Sequence, residues 1–176
     1  MSNKPENSAP MINRLVIIGL GLIGSSLAVA AKEQGLAKTV IGISRRTSTL
    51  ELALESGIID RACQSLESVA SELDKGDLVV IGVPTLTVPS VIADCHQHLK
   101  DKVTITDVAS VKGSIVKAAA DIYGKLPNQF VPGHPIAGSE KSGVEAADSQ
   151  LFKDHRVILT PHGADHCEHL RLVSTL

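Results

Sequence analysis

Cysteine is scarce in this sequence, with three residues in 176, and no two of them form a CxxC pair. Because Cys63, Cys95 and Cys167 are odd in number and far apart, we expect no disulfide framework and predict a reducing, cytoplasmic location. An excess of charge of one sign is also lacking, since the net charge is −2 and the isoelectric point is near 6.4. A surface without a strong field does not attract nucleic acid or an anionic membrane. We therefore expect small-molecule partners, no nucleic acid and no membrane.

The longest uncharged stretch is Leu15 to Ala31, which follows Arg14. Its length reaches the lower limit for a membrane span, about 17 residues, and its small final residues resemble a signal-peptide cleavage site. The GxGxxG spacing of three glycines within it, and the alternation of apolar and amphipathic segments downstream, favour a buried strand, turn and helix instead.

No internal repeat or low-complexity linker is present, so we predict one domain over 13–176 and a disordered tail over 1–12.

Apolar segments of strand length alternate with amphipathic segments of helix length along the chain. Strands are predicted at 14–19, 39–43, 77–83, 103–108 and 156–160, with shorter ones at 59–63 and 130–132. Helices are predicted at 22–34, 49–56, 65–74, 86–98, 111–120 and 165–176. This alternation implies a doubly wound, mostly parallel α/β sheet of the Rossmann type. Proteins with a domain of this type often carry a second domain that holds a substrate, and we expect this chain to have no room for one.

The first glycine cluster, G-L-G-L-I-G, follows a predicted strand and precedes a predicted helix. In this setting the first glycine permits a tight turn, the second lets a diphosphate approach the backbone, and the third lets the helix pack on the strand. The helix N-terminus then offers free N–H groups to the phosphates. A glycine loop can also serve only as a turn, but the context favours dinucleotide binding. The candidate residues are Gly19, Gly21, Leu22, Ile23 and Gly24.

The second predicted strand ends in Ser44, Arg45 and Arg46, where an NAD site usually carries an acid for the ribose 2′-hydroxyl. A guanidinium can bind a 2′-phosphate with two hydrogen bonds, and a serine hydroxyl can add a third. These residues favour NADP over NAD. There are two alternative interpretations: the arginines form a solvated surface pair, or one of them stacks on the adenine of NAD.

Other candidates follow the later strands, at the edge where open α/β sheets bind ligands. Val83, Pro84 and Thr85 close the strand over 77–83 and are candidate cofactor contacts, although an ordinary strand-to-helix turn explains them equally well. Ser110 and Lys112 follow the next strand. His134 lies between a glycine and a proline, and we expect it in a loop after the strand over 130–132.

Four motifs carry a resemblance: GLGLIGSSLA at 19–28, DVASVKGSI at 107–115, GHPIAGSEKSGVEAA at 133–147 and LFKDHRVILTP at 151–161. Together they resemble the prephenate and arogenate dehydrogenases of tyrosine biosynthesis, from about Asn13 onward. The resemblance implies an NADP- or NAD-dependent enzyme. It also implies a second, mainly helical domain that forms a homodimer and completes the substrate site, and we expect this C-terminal helical domain to be absent from this chain.

The resemblance further implies an oxidative decarboxylation, in which hydride leaves the ring carbon that bears the hydroxyl and the ring carboxylate departs as carbon dioxide. His134 would accept the hydroxyl proton, which requires a neutral imidazole. Ser110 would hydrogen-bond the same hydroxyl or the histidine. Lys112 would hold the motif or balance substrate charge, with a structural surface lysine as the alternative. The sequence does not distinguish prephenate from arogenate.

Two rival functions stay open: a related dehydrogenase of the β-hydroxyacid type, and a dinucleotide-binding module without catalysis. The loop GHPIAG argues against the related dehydrogenase, whereas the expected absence of a second domain makes the non-catalytic module possible.

A dense cluster of histidines and a cysteine near the C-terminus suggests a metal site, but a helix cap and first turn explain it better, so we predict no metal. The cluster consists of His162, His166, Cys167 and His169.

Overall fold

The computed structural model describes residues 11–161 and 167–176. Its strands are β1 (Ile12–Ile18), β2 (Ala37–Ile43), β3 (Arg61–Cys63), β4 (Leu78–Ile81), β5 (Thr104–Asp107), β6 (Phe130–Pro135) and β7 (Val157–Leu159). Its α-helices are α1 (Leu22–Glu33), α2 (Thr47–Glu55), α3 (Glu67–Ala70), α4 (Val88–His98), α5 (Gly113–Tyr123) and α6 (Cys167–Val173). Short 3-10 turns lie at Thr85–Thr87 and Val144–Ala146.

The strands form one seven-stranded sheet in the order β3-β2-β1-β4-β5-β6-β7. Every neighbouring pair from β3 to β6 is parallel, and β7 pairs antiparallel with β6. The predicted doubly wound, mostly parallel fold is thus confirmed. Since the parallel strands share one direction, the loops that follow β1, β2, β4, β5 and β6 meet at a single edge, the carboxyl edge.

The antiparallel β7 departs from the strict alternation that the sequence predicts. Among the described residues between β6 and β7, the regular structure is a single 3-10 turn, so no helix carries the chain back for a parallel strand. This connection crosses α1 instead, where Val144 is buried and the backbone N–H of Asp148 donates to Ser26 Oγ at 2.9 Å. A parallel neighbour requires a crossover, whereas an antiparallel one does not.

Two apolar layers cover the faces of the sheet. On one face α1, α2 and α6 pack against side chains such as Leu15, Ile17 and Val80. On the other face α3, α4 and α5 pack against Val16, Val79 and their neighbours. Strands buried on both faces read as continuous apolar runs, which explains why Val- and Ile-rich segments marked the sheet so clearly in the sequence.

Several boundaries differ from the predictions. β1 begins at Ile12, which is fully buried and pairs with Ala37, so this residue belongs to the sheet rather than to the tail predicted over 1–12. The helix predicted over 65–74 is reduced to α3, because the carboxylate of Asp77 accepts from the backbone N–H of Asp74 and holds the chain in a turn. The start of the helix predicted over 165–176 lies outside the described residues, and α6 ends at Val173.

Candidate functional site

The glycine loop joins β1 to α1 through backbone contacts that leave no room for side chains at two positions. Gly19 has a φ of +99°, and a Cβ there would lie 2.6 Å from the carbonyl oxygen of Gly82 at the end of β4. A Cβ on Gly24 would lie 2.2 Å from the carbonyl oxygen of Gly19. The loop, the end of β4 and the first turn of α1 are therefore in direct contact.

Gly21 differs from both of these glycines, because a Cβ on it would meet nothing within 4 Å. It is the N-cap of α1 in an extended conformation, and no side chain caps the helix there. The first N–H groups of an α-helix have no partner inside the helix and carry partial positive charge. The open space at Gly21 leaves room for a ligand to approach this helix N-terminus, and the half-buried Leu22 and Ile23 form its first turn.

The end of β2 lies next to the glycine loop, since the N–H of Gly19 donates to the carbonyl oxygen of Ile43 at 2.9 Å. Ser44 follows and is half-buried, and its hydroxyl accepts from the N–H of Arg46 at 3.2 Å. The side chains of Arg45 and Arg46 are exposed. Among the ion pairs of residues 11–161 and 167–176, neither guanidinium is bound to a carboxylate.

One residue near these arginines was not anticipated from the sequence. The side-chain amide of Gln64, which follows β3, donates to Thr47 Oγ1 at the start of α2 at 3.2 Å. This bond links the loop after β3 to the helix that begins directly after Arg46. Only the sheet order, which places β3 beside β2, brings the two residues together, so no sequence signal pointed to Gln64.

The segment after β4 lies beside the glycine loop. Val83 is half-buried, and its Cγ1 is 3.0 Å from the position of a Cβ on Gly19. Pro84 precedes the 3-10 turn that begins at Thr85, and Leu86 in that turn is 96% exposed. Val83 is thus placed against the loop, while Pro84 and Thr85 lie at the same carboxyl edge.

His134 lies within β6 rather than in a loop after it, which corrects the prediction from the sequence. It is half-buried and pairs with Ile158 of β7. The strand extends past Pro132 because β7 pairs with it from the far side, and that pairing is not visible in the local sequence. Ser110 is exposed after β5. Within the described part of the chain, no hydrogen bond joins Ser110 to His134.

A buried acid that the sequence analysis did not single out connects these elements. Asp107 ends β5 with 1% exposure and is ion-paired with Nζ of Lys112. Its Oδ2 also accepts from the N–H of Ala109 at 3.1 Å, and its Oδ1 accepts from the N–H of Gly133 at 3.3 Å. Lys112 donates in addition to the carbonyl oxygen of Gly133 at 2.5 Å. A lone acid ending the apolar segment TITD is the signal that could have identified it.

Burial is the largest influence on the pKa values of Asp107 and Lys112. It raises the pKa of Asp107, although the bonds from Lys112, Ala109 and Gly133 act in the opposite direction. Burial likewise lowers the pKa of Lys112, against the attraction of Asp107. The side chain of Lys112 is only 17% exposed, so of the alternative of a structural surface lysine the structure contradicts the surface position and not the structural role. Each group of the pair is compensated by the other and by backbone groups, which offsets part of the cost of burying them.

The histidine cluster near the C-terminus is described only in part. His162 and His166 lie outside the described residues, whereas His169 on α6 has its Nδ1 2.7 Å from Thr104 Oγ1. No group of three or more metal-ligating side chains is found in the described part.

No helix among the described residues is long and apolar enough to span a membrane. The stretch from Leu15 to Ala31 instead contributes most of β1, the glycine loop and most of α1.

A parallel sheet whose first strand leads through a glycine loop into an open helix N-terminus defines a dinucleotide-binding domain of the Rossmann type. The chain belongs to the family of the prephenate dehydrogenase nucleotide-binding domain, which it matches over residues 27–176. The matched range contains Ser110, Lys112 and His134, and the glycine loop lies just ahead of it.

Known proteins of this family are similar over most of this chain. The prephenate dehydrogenase of Lactococcus lactis subsp. cremoris is 36% identical over 161 residues, which are 91% of this chain and 44% of that protein. A solved structure, the prephenate dehydrogenase from A. aeolicus in complex with hydroxyphenyl propionate and NAD+, superposes with a TM-score of 0.83 at 32% identity. It matches 97% of this chain and 57% of that one.

The Synechocystis arogenate dehydrogenase gives a TM-score of 0.80 at 32% identity, over 93% of this chain and 55% of that one. The chain therefore spans about half the length of the relatives it matches. Because the likeness covers the nucleotide-binding part, it includes the sheet and its carboxyl edge but not the remainder of those enzymes.

Proposed function

We propose that this chain is the nucleotide-binding domain of a dehydrogenase that oxidises prephenate or arogenate with NADP or NAD. One observation carries the proposal: the open N-terminus of α1 above Gly21 and the imidazole-bearing end of β6 share the carboxyl edge of one sheet. Ligands of open α/β sheets bind at this edge. The relatives include a prephenate dehydrogenase and an arogenate dehydrogenase, which supports the substrate class.

The glycine loop is the part that would hold the cofactor. Backbone N–H groups of the first turn of α1 would bind the diphosphate, and Gly21 would let it approach. Val83, Pro84 and Thr85 would line the neighbouring wall after β4. When bound, the nicotinamide would accept the hydride from the ring carbon that bears the hydroxyl.

His134 is the proposed proton acceptor. Its neutral imidazole would take the proton from the substrate hydroxyl as that oxygen becomes a carbonyl, which is a contribution worth about a hundred- to ten-thousandfold in rate. Ser110, exposed at the same edge, would donate to or accept from the same hydroxyl. The loss of the ring carboxylate as carbon dioxide then makes the ring aromatic.

We propose a preference for NADP from the end of β2. Arg45 and Arg46 are exposed and bound to no carboxylate of the described residues, and Ser44 stands where an NAD site has an acid. Each charge-assisted hydrogen bond to a 2′-phosphate contributes about 1.5 to 3 kcal/mol, or about ten- to hundredfold in affinity. The test is calorimetric titration of this chain with NADP and with NAD, repeated on Arg45→Asp. Loss of NADP affinity with unchanged NAD affinity supports the preference, and equal losses contradict it.

The reaction itself is tested by turnover of prephenate and of arogenate in the full-length protein and in His134→Asn. We expect kcat to fall by two orders of magnitude or more while cofactor affinity is kept. This chain alone should bind cofactor but turn over slowly, because the relatives are about twice its length. Robust cofactor binding with no turnover of either substrate by the full-length protein would favour a non-catalytic module. A homodimer built through the remaining domain is part of the same proposal.

A further inference from the structure

We infer that Asp107 is a positioning residue that fixes His134 at the carboxyl edge, an inference that rests on the proton-accepting role proposed above. Asp107 is not offered as a catalytic residue. Its carboxylate is buried within the fold, and both of its oxygens are bound by groups of this chain. It would therefore act through the backbone that carries the imidazole.

The bonds converge on the residue directly before the histidine. Oδ1 of Asp107 accepts from the N–H of Gly133, and Lys112 donates to the carbonyl oxygen of the same glycine at 2.5 Å. Because the carboxylate and the ammonium are also paired with each other, the two polar groups of Gly133 belong to one closed network. The peptide that leads into His134 is thus held by charged groups rather than by ordinary strand pairing alone.

Close packing of β5 and β6 adds to this restraint. A Cβ on Gly133 would lie 2.8 Å from the carbonyl oxygen of Asp107 and 3.1 Å from Thr106 Oγ1. That threonine hydroxyl donates to the carbonyl oxygen of Val131 at 2.7 Å. The pairing of His134 with Ile158 restrains the strand from the opposite side. The backbone of the histidine is therefore fixed on both sides.

Stability alone is a weak reason to have an ion pair at this place. Burying two charges is costly, and replacing such a pair by apolar side chains is often neutral or stabilising. The network fixes the direction of the peptide before His134. Apolar packing would not do so. A catalytic group displaced by about 1 Å can lose about a hundredfold in rate.

The chain offers a matched control for this inference. Asp77 is equally buried, with 1% exposure, and is paired with Arg14 at 3.0 Å. It also accepts from the backbone N–H groups of Arg14 and Asp74, but it precedes β4, at the edge of the sheet opposite to His134. Asp107→Asn and Asp77→Asn therefore remove similar buried charges, and only the first touches the proposed network.

The test measures kcat and KM for the full-length protein and its variants with prephenate and NADP. We expect Asp107→Asn to lower kcat by about ten- to hundredfold with KM for NADP unchanged. Asp77→Asn should lower the unfolding midpoint to a similar degree and keep kcat. In the double variant Asp107→Asn/His134→Asn, kcat should equal that of His134→Asn alone, because a residue that acts only by positioning the imidazole has no effect once the imidazole is removed.

The outcomes separate this inference from the proposed function. Unchanged kcat in His134→Asn would defeat the proton-accepting role itself. Impaired His134→Asn together with unimpaired Asp107→Asn would overturn only the positioning role, as would full additivity in the double variant. If Asp107→Asn does not fold, Asp107→Asn/Lys112→Met removes both charges together and is read by the same criteria.

Discussion

Replacing Gly21 by alanine should separate folding from cofactor binding. The new methyl group meets nothing within 4 Å, and the backbone of Gly21 is extended, with φ −86° and ψ −170°, a conformation that alanine adopts readily. The methyl group would, however, point into the space that the diphosphate is proposed to occupy. We therefore expect Gly21→Ala to fold as well as the original chain and to bind dinucleotide poorly.

The expected free energies show that Gly21→Ala should change cofactor binding more than stability. Restricting the unfolded chain by a Gly→Ala change gains about 0.4 to 1 kcal/mol, and losing glycine at an N-cap costs a similar amount. The net change in the free energy of unfolding should thus stay within about 1 kcal/mol. Blocking one or two charged hydrogen bonds to phosphate costs about 1.5 to 3 kcal/mol each, so the Kd should rise at least about tenfold.

Thermal unfolding and calorimetric titration with NADP and NAD provide the assay, with two comparison variants. Gly113→Ala adds a methyl group in open space at the start of α5 and should keep both stability and affinity. Gly24→Ala places a Cβ 2.2 Å from a backbone oxygen and should lose stability. Undiminished affinity in Gly21→Ala would refute our assignment of the diphosphate to this loop.

Two further predictions concern single ionisable groups. Burial alone would raise the pKa of Asp60, but bonds from Lys32 and from the N–H of Val40 hold it below the usual 3.8. The stability that Asp60 contributes is thus present above that value and lost as pH falls through the lower folded-state pKa, so Asp60→Asn should flatten the acid limb of a stability–pH curve. Burial raises the pKa of the Cys95 thiol to about 12. Mass spectrometry should find Cys95 unreactive to iodoacetamide in the folded chain while the less buried Cys63 reacts.

Much of the fold could be predicted from the sequence because local physical rules govern it. Strands buried on both faces must be largely apolar, so β1, β2, β4 and β5 were evident as segments rich in valine and isoleucine. The similar segment of β7 was also evident, although Val157 and Ile158 are exposed at the edge of the sheet. The steric demands at Gly19 and Gly24 follow from a turn that the spacing of the glycines already indicates. Boundaries were less accurate, as with α3 and Ile12, because they depend on which neighbours cover each residue.

The sequence by itself determined the kind of fold, the glycine loop and the residue types at the carboxyl edge, since each depends on periodicity or on one residue's conformational freedom. Tertiary structure alone decided that β7 runs antiparallel, that His134 lies inside a strand, and that Asp107 and Lys112 close around Gly133. These features arise from contacts between segments that are distant along the chain. Such contacts depend on the order of strands in the sheet and on burial, and a short segment of sequence determines neither of them.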